Sequence, residues 1–259
     1  LPGKQSVVGQ FGYRNPPEGY GEGMSNQSAL ASAPIALVTG ATSGIGREIV
    51  RDLARTHVVY AVGRDPERLA EFGGFDDENS IVPVRADIND PEAMASLVAE
   101  LDRLDVLVHS AGVVGQAHVA ETPREEWMRQ LTTNVVAPAE LTRLTLPLLR
   151  VSKGTVIFIG SGAGTRASAN LGAYAATKPA LRALADSLRL EESTAGVRVS
   201  TLAPGQADTP LQEQMQEQLG NEYIGTRYIR ADSVARTVRF VVDAPADAQI
   251  TDLSIRPRI

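Results

Sequence analysis

Three side chains carry the first hint of chemistry in this chain. Tyr174 and Lys178 stand four residues apart in "YAATK", and Ser161 lies thirteen residues before the tyrosine in "GSGAG". At helical spacing, residues i and i+4 share a face, so the phenol and the ammonium are neighbours. A phenol holds its proton at neutral pH, but a positive charge beside it favours the phenolate and makes it usable as an acid/base. The same spacing also fits a helix whose Tyr packs inward while its Lys reaches solvent. Ser161 is flanked by Gly160 and Gly162, with Gly164 close behind. That leaves its hydroxyl little covered, which suits a substrate site and an ordinary turn equally.

A second group is built for an anion. "TGATSGIG" (39–46) follows the apolar run "IALVT" and opens an amphipathic segment in which Ile45, Ile49, Val50 and Leu53 share a face. Gly40, Gly44 and Gly46 permit a tight turn and let a pyrophosphate approach the amides of a helix N-terminus. The spacing G-x-x-x-G-x-G is more informative than any one of these glycines.

These groups need a scaffold, and the rest of the chain reads as one. Apolar runs ("HVVYAV", "SIVPVRA", "DVLVHS", "GTVIFIGS", "GVRVSTLAPG", "TDLSIRP") alternate with helical segments. The latter include a short one near 66–72, "DPEAMASLVAELDRL" with Asp90 and Pro91 as N-cap and first residue, 123–150, 172–194, 208–219 and 232–243. Thr122 and Glu125 are expected to form a capping box, with Pro123 at the first helical position. Val- and Ile-rich runs without polar alternation imply strands covered on both faces, hence a parallel sheet. The fold class is therefore α/β, a single-domain doubly wound Rossmann-type sheet of about seven strands with helices on both faces.

Composition sets limits. At 259 residues and 27.5 kDa, with 43% apolar and 22% charged residues, the chain supports one substantial core. A net charge of −6 argues against nucleic acid or an anionic membrane as partner. There are no cysteines, so thiol chemistry and disulfides are excluded, and a cytoplasmic location is expected. His57, His109 and His118 lack metal-ligand spacing, and no metal is expected. Residues 1–33 are rich in Gly, Pro, Ser and Gln and read as an N-terminal extension, with Met24 a possible natural start. Phe11, Tyr13 and Tyr20 are its candidate anchors, on this subunit or a neighbour. Residues 34–259 read as a single domain.

From about residue 34 to 257 the chain resembles the short-chain dehydrogenase/reductase family. The resemblance rests on the glycine motif at 39–46, Asp87 in "RADI", "HSAG" (109–112), Asn134, Ser161, the Tyr174–Lys178 pair, and Pro204-Gly205 with Thr209. It implies an oxidoreductase that interconverts a carbonyl compound and an alcohol by hydride transfer with an NAD(P) cofactor. Tyr174 would be the general acid/base, Lys178 its tuner and the holder of the nicotinamide ribose, and Ser161 a donor to the substrate oxygen. Asn134 would serve a proton relay. The implied cofactor contacts are Gly40, Ser43, Gly44, Ile45, Gly46, Asp87, Ile88, Ser110, Ala111, Gly112, Tyr174, Lys178, Pro204, Gly205 and Thr209, with Arg64 added on chemical grounds. The family also implies that residues 34–259 are one dinucleotide-binding catalytic domain with a substrate lid near 205–230, a small-molecule substrate, and a homodimer or homotetramer paired through the helices at 123–150 and 172–194.

Several positions depart from the pattern or leave choices open. Ser110 replaces the family's usual Asn, and a side-chain contact to a neighbouring strand is then in question; His109 beside it reads as a strand residue. Pro138 removes the helical donor for the carbonyl of Asn134, so a kink is expected there, freeing that carbonyl for a water linked to Lys178. Pro179 does the same to the carbonyl of Ala175, without evident purpose. Gly63-Arg64 stands where NAD users carry an acid on the ribose. A small residue followed by Arg favours NADP(H), while NAD(H) stays open because Asp65 is one step away. Leu211, Met215 and Leu219 form a stripe that would close over an apolar substrate, and Arg166 and Arg227 are candidates for an acidic one. Two alternatives to a carbonyl reductase are carried forward. One is a 3-oxoacyl-thioester reductase meeting an acidic carrier through Arg143, Arg150 and Lys153. The other is a non-catalytic nucleotide-sensing protein, disfavoured because Tyr174 and Lys178 are both present.

Overall fold

The computed structural model describes residues 33–74, 80–162 and 169–258. The calls on the tail and on Arg166 lie outside these residues. Seven parallel strands form one sheet in the order β3-β2-β1-β4-β5-β6-β9. They are β1 (Ile35–Thr39), β2 (Val58–Gly63), β3 (Ile81–Arg85), β4 (Val106–His109), β5 (Thr155–Ile159), β6 (Arg198–Pro204) and β9 (Asp252–Ile255). Two short strands outside the sheet, β7 (Ala207–Asp208) and β8 (Ile229–Arg230), pair in parallel with each other. The helices are α1 (Gly44–Leu53), α2 (Pro66–Ala70), α3 (Pro91–Ala99), α4 (Arg124–Leu131), α5 (Ala137–Ser152), α6 (Gly172–Glu191), α7 (Pro210–Gln218) and α8 (Ala231–Val242). No helix among the described residues is long and apolar enough to cross a membrane.

The uninterrupted apolar runs are explained by two cores, one on each face. Ala36 and Val38 of β1 pack with Ile49, Val50 and Leu53 of α1 and Val234, Val238 and Val241 of α8. Leu37, one residue out of phase, packs on the other side with Met94 and Leu97 of α3, Leu141 and Leu149 of α5, and Leu181 and Leu188 of α6. Alternation across the sheet continues in β5, where Ile157 faces the first core and Phe158 the second. Arg239 ties α8 to α1 through Asp52, with Nε 2.8 Å from Oδ2 and Nη2 donating to the Asp52 carbonyl at 2.6 Å.

Local signals were met unevenly. Asp90 caps α3 as expected, its carboxylate accepting from the amides of Glu92 and Ala93. The capping box does not form: α4 begins at Arg124 after Pro123 without a side-chain cap, and the Thr122 hydroxyl donates to the His118 carbonyl instead. Helix 123–150 is interrupted by a π-helical turn, Thr132–Val136. The α-helical donor for the carbonyl of residue 134 would be the nitrogen of Pro138, which has no hydrogen, and the widened turn accommodates that loss.

His109 is indeed a strand residue. It is buried, stacked on Phe158 with ring centroids 4.8 Å apart, and its Nε2 lies 2.9 Å from the Thr142 hydroxyl. Burial lowers its pKa from the ordinary 6.5 to about 3. The unfolded chain therefore binds one more proton between those values, and stability falls as pH drops through that window. The expected slope from His109 is about 1.4 kcal/mol per pH unit. Chemical denaturation should show this slope below pH 6.5, measured down to pH 5 against a pH 8 baseline, and flattened in His109→Asn even if that variant is less stable at pH 8. An unchanged slope would show that His109 is not its source.

Candidate active site

The order of the strands reverses between β1 and β4, since β2 and β3 lie to one side and β5 and β6 to the other. At such a point the loops after two adjacent strands diverge and leave a crevice. A cavity of about 630 Å³ opens there, lined by the loops after β1, β2, β3, β4, β5 and β6.

Close backbone packing builds its floor. Gly40 has φ +67°, and a Cβ on it would stand 2.7 Å from the Ala111 Cα. A Cβ on Gly46 would meet the Gly40 carbonyl oxygen at 2.2 Å. Only glycine lets the ends of β1 and β4 and the start of α1 converge this tightly. The Thr39 hydroxyl accepts from the amides of Ser110 and Ala111, both at 3.2 Å, and reaches the Val108 carbonyl at 3.4 Å. The strand contact left in question by Ser110 is thus made from the β1 side. Ser43 begins α1 without capping it by its side chain, so the first-turn amides remain directed at the cavity.

At the outer end, Arg64 Nη1 lies 3.7 Å from Asp87, with the two side chains 70% and 42% exposed. A pair this open is weak and readily exchanged for a ligand. Asp87 is oriented by Asn89, whose backbone and side-chain nitrogens donate to it at 3.0 and 3.1 Å. Asp65 is occupied elsewhere, capping α2 through the amides of Glu67 and Arg68.

At the inner end stand Ser161, Tyr174 and Lys178. The Lys178 Nζ is buried, 3.3 Å from the Ile159 carbonyl and 5.4 Å from the centroid of the Tyr174 ring. Asn134 lies behind this wall, and its side chain is a clamp. Its Oδ1 accepts from Val113 N at 2.8 Å, while Nδ2 donates to the Val113 carbonyl at 2.9 Å and to the Thr177 hydroxyl at 3.2 Å. Thr177 in turn donates to the Tyr174 carbonyl at 2.8 Å. All the catalytic and cofactor positions selected from the sequence border the cavity except Asn134, which holds the segments that do.

α7 forms the rim. The Thr209 hydroxyl caps it by accepting from Gln212 N at 3.2 Å. Leu211 and Met215 border the cavity, but Leu219 does not, and the buried residues of this helix are Gln212 and Gln216. The expected apolar stripe is therefore incomplete, with Leu219 turned to solvent at 48% exposure. Beyond α7, Tyr223 donates to Asp208, and burial, reinforced by that carboxylate, pushes its pKa up. Sequence reasoning missed Thr42, Asn89, Thr133 and Gln212, which also border the cavity; only Thr42, inside the glycine loop, had a signal.

A family model described as short chain dehydrogenase matches residues 34–220. The chain belongs to the short-chain dehydrogenase family. Among its relatives, serine 3-dehydrogenase of Rhizobium radiobacter is 32% identical over 235 residues, covering 85% of this chain and 92% of that one. The closed form of a serine dehydrogenase complexed with NADP+ superposes with a TM-score of 0.77 at 28% identity, covering 85% and 94% of the two chains. A variant of actinorhodin polyketide ketoreductase with NADPH gives a TM-score of 0.82 at 25% identity, covering 88% and 98%. As a short-chain dehydrogenase the chain is an oxidoreductase.

The basic surface considered for an acidic carrier is not there as read. Arg143 pairs with Glu140, and Arg150 with the buried Glu192 at 2.6 Å. Arg150 and Lys153 also precede β5, at the N-terminal ends of the strands, whereas the cavity lies at their C-terminal ends.

Removing the Asn134 amide would leave the half-buried N–H and C=O of Val113 without these partners. Asn134→Ala is expected to lower unfolding free energy by about 2–4 kcal/mol. Asn134→Asp should recover only part of this, since a carboxylate cannot donate to the Val113 carbonyl. Equal stability of wild type and Asn134→Ala would show that the clamp is dispensable.

Proposed function

We propose that this protein is an NADP(H)-dependent carbonyl reductase or alcohol dehydrogenase acting on a small molecule. The observation that carries the reading is one cavity with an uncapped helix N-terminus and Arg64 toward one end and Ser161, Tyr174 and Lys178 at the other. The residues fit a dinucleotide: close-packed glycines admit a pyrophosphate, and Asp87 faces the position of an adenine. Bound there, the cofactor supplies or accepts the hydride.

The preference for NADP(H) has a steric basis. A Cβ on Gly63 would stand 2.3 Å from the Thr42 Cγ2. An acid gripping the ribose hydroxyls from position 63 would therefore have to displace Thr42, whereas glycine followed by Arg64 leaves room and charge for a 2′-phosphate. The NADP+ and NADPH bound in the two structural neighbours support the same choice.

In the mechanism we assign, Ser161 donates a hydrogen bond to the substrate oxygen and fixes it beside Tyr174. Tyr174 passes its proton to that oxygen during reduction and takes it back during oxidation. Lys178, held beside the phenol ring by the Ile159 carbonyl, places its positive charge next to Tyr174 and reaches toward the ribose. The carbonyl of Asn134, deprived of its α-helical donor by Pro138, accepts a water that links Lys178 to solvent. Leu211 and Met215 on α7 cover the reacting groups, the role proposed for the lid.

The polyketide ketoreductase likeness keeps a 3-oxoacyl thioester as second reading for the substrate, but the neutralised Arg143 and Arg150 weaken its carrier-docking form. A non-catalytic nucleotide sensor is the reading that turnover excludes. For assembly we assign a homodimer or homotetramer, supported by exposed Met128, Val136, Val151 and Leu190 on or between α4, α5 and α6. Sedimentation should give a mass of two or four chains, and Val136→Glu should dissociate it; a monomer in wild type refutes this.

Reduced-nicotinamide absorbance with a panel of ketones, aldehydes and thioesters tests the enzymatic reading. Tyr174→Phe should lose about 10²–10⁴-fold in kcat while still binding cofactor. Arg64→Ala should raise KM for NADPH roughly 10–100-fold with little change for NADH. Full turnover in Tyr174→Phe would end the acid/base assignment. A wild-type preference for NADH would end the cofactor assignment.

A further inference from the structure

The α7 helix carries a buried donor that the mechanism above does not use. Gln212 sits in its first turn, is 7% exposed and borders the cavity. Its backbone N–H is engaged by the Thr209 hydroxyl, but its side-chain Nε2 has no hydrogen-bond partner among the described residues. Buried amide donors are rarely left without an acceptor, and one in a cavity wall points to a ligand oxygen.

The surroundings identify that oxygen. The Thr209 Cγ2 lies 3.0 Å from where a Cβ of Gly44 would stand, and Pro210 Cδ lies 3.9 Å from the same point. The first turn of α7 therefore abuts the first turn of α1, and two helix N-termini end side by side at the same part of the cavity. Each presents a partial positive charge, and α1, which has no side-chain cap, also presents free first-turn amides. Of the groups in a nicotinamide dinucleotide, the one that brings negative charge and several acceptor oxygens to the glycine-loop end of α1 is the diphosphate.

We infer that Gln212 is a cofactor-binding residue whose side-chain amide donates to an oxygen of the dinucleotide diphosphate. This rests on the dinucleotide reading of the cavity. The contact also couples the two ligands of the site. α7 is tied on its far side to the loop after β4, where Gln116 Nε2 donates to the Met215 carbonyl at 3.3 Å. A diphosphate held by Gln212 pins the near end of the same helix, so cofactor binding positions Leu211 and Met215 before substrate arrives.

Calorimetric titration of three ligands tests this. NADP+ and ADP-ribose 2′-phosphate both contain the diphosphate, the latter without nicotinamide; adenosine 2′-monophosphate contains neither. Gln212→Met should weaken NADP+ and ADP-ribose 2′-phosphate alike, by about 10-fold, and leave adenosine 2′-monophosphate unchanged. Gln212→Glu, nearly isosteric, should weaken the first two further by setting a carboxylate against the diphosphate, with a loss that shrinks as ionic strength rises. It supplies the answer if the methionine variant fails to fold. Unchanged affinities, or a loss confined to NADP+, would overturn the assignment, the second placing the amide on the nicotinamide. Binding of none of the three by wild type would instead overturn the dinucleotide reading, and the inference with it.

Discussion

The side-chain amide of Asn134 is where the inner half of the site is joined. It bonds both polar groups of Val113 and the hydroxyl of Thr177. In doing so it locks the loop after β4, the π turn and the helix bearing Tyr174 and Lys178 into one unit. Neither aspartate nor leucine, its near equals in size, offers an acceptor and two donors at once. The amide reaches this position because the helix is widened just where Pro138 denies it a backbone bond. A defect in one hydrogen-bond ladder is thus repaid by three side-chain bonds that a regular helix would not have aimed there.

The outer half depends on crowding. Gly40, Gly46 and Gly63 each mark a place where a side chain would collide with backbone or with Thr42. The first two collisions are with main chain, which cannot rotate away, and they fix how near an anion can come to the amides of α1. The third is with a side chain, and its effect is on choice of ligand. Steric exclusion at position 63 and a loosely held guanidinium at 64 act in the same direction, against an acid and toward an added phosphate.

How much of this was legible follows from range. The strands and the glycine loop announce themselves locally, because alternation of burial and turn chemistry are properties of a few consecutive residues. Tyr174 and Lys178 were visible for the same reason, through their one-turn spacing. The partner of Arg150 is Glu192, forty-two residues on, and no local pattern discloses that neutralisation. Gln212 and Gln216 carry no signal in the sequence because polarity argues for exposure, yet they are the buried residues of the helix that rims the cavity. The capping box failed through competition, since Thr122 found the His118 carbonyl closer to hand. The pairing of β7 with β8 involves two residues from each, too short for any periodicity to register.

The charge on Lys178 sharpens the case for its role. A buried ammonium is costly unless paired, and the usual partner is a carboxylate. Among the described residues Lys178 has none within ion-pair distance; its contacts are a carbonyl at 3.3 Å and the face of an aromatic ring at 5.4 Å. A carboxylate would satisfy the lysine better, but it would also cancel the field that the ammonium exerts on the phenol. Two dipolar partners hold the side chain in place and leave most of that field intact. The arrangement gives up stability at Lys178 and leaves its charge uncancelled beside the Tyr174 ring, the environment that the proposed proton transfer calls for.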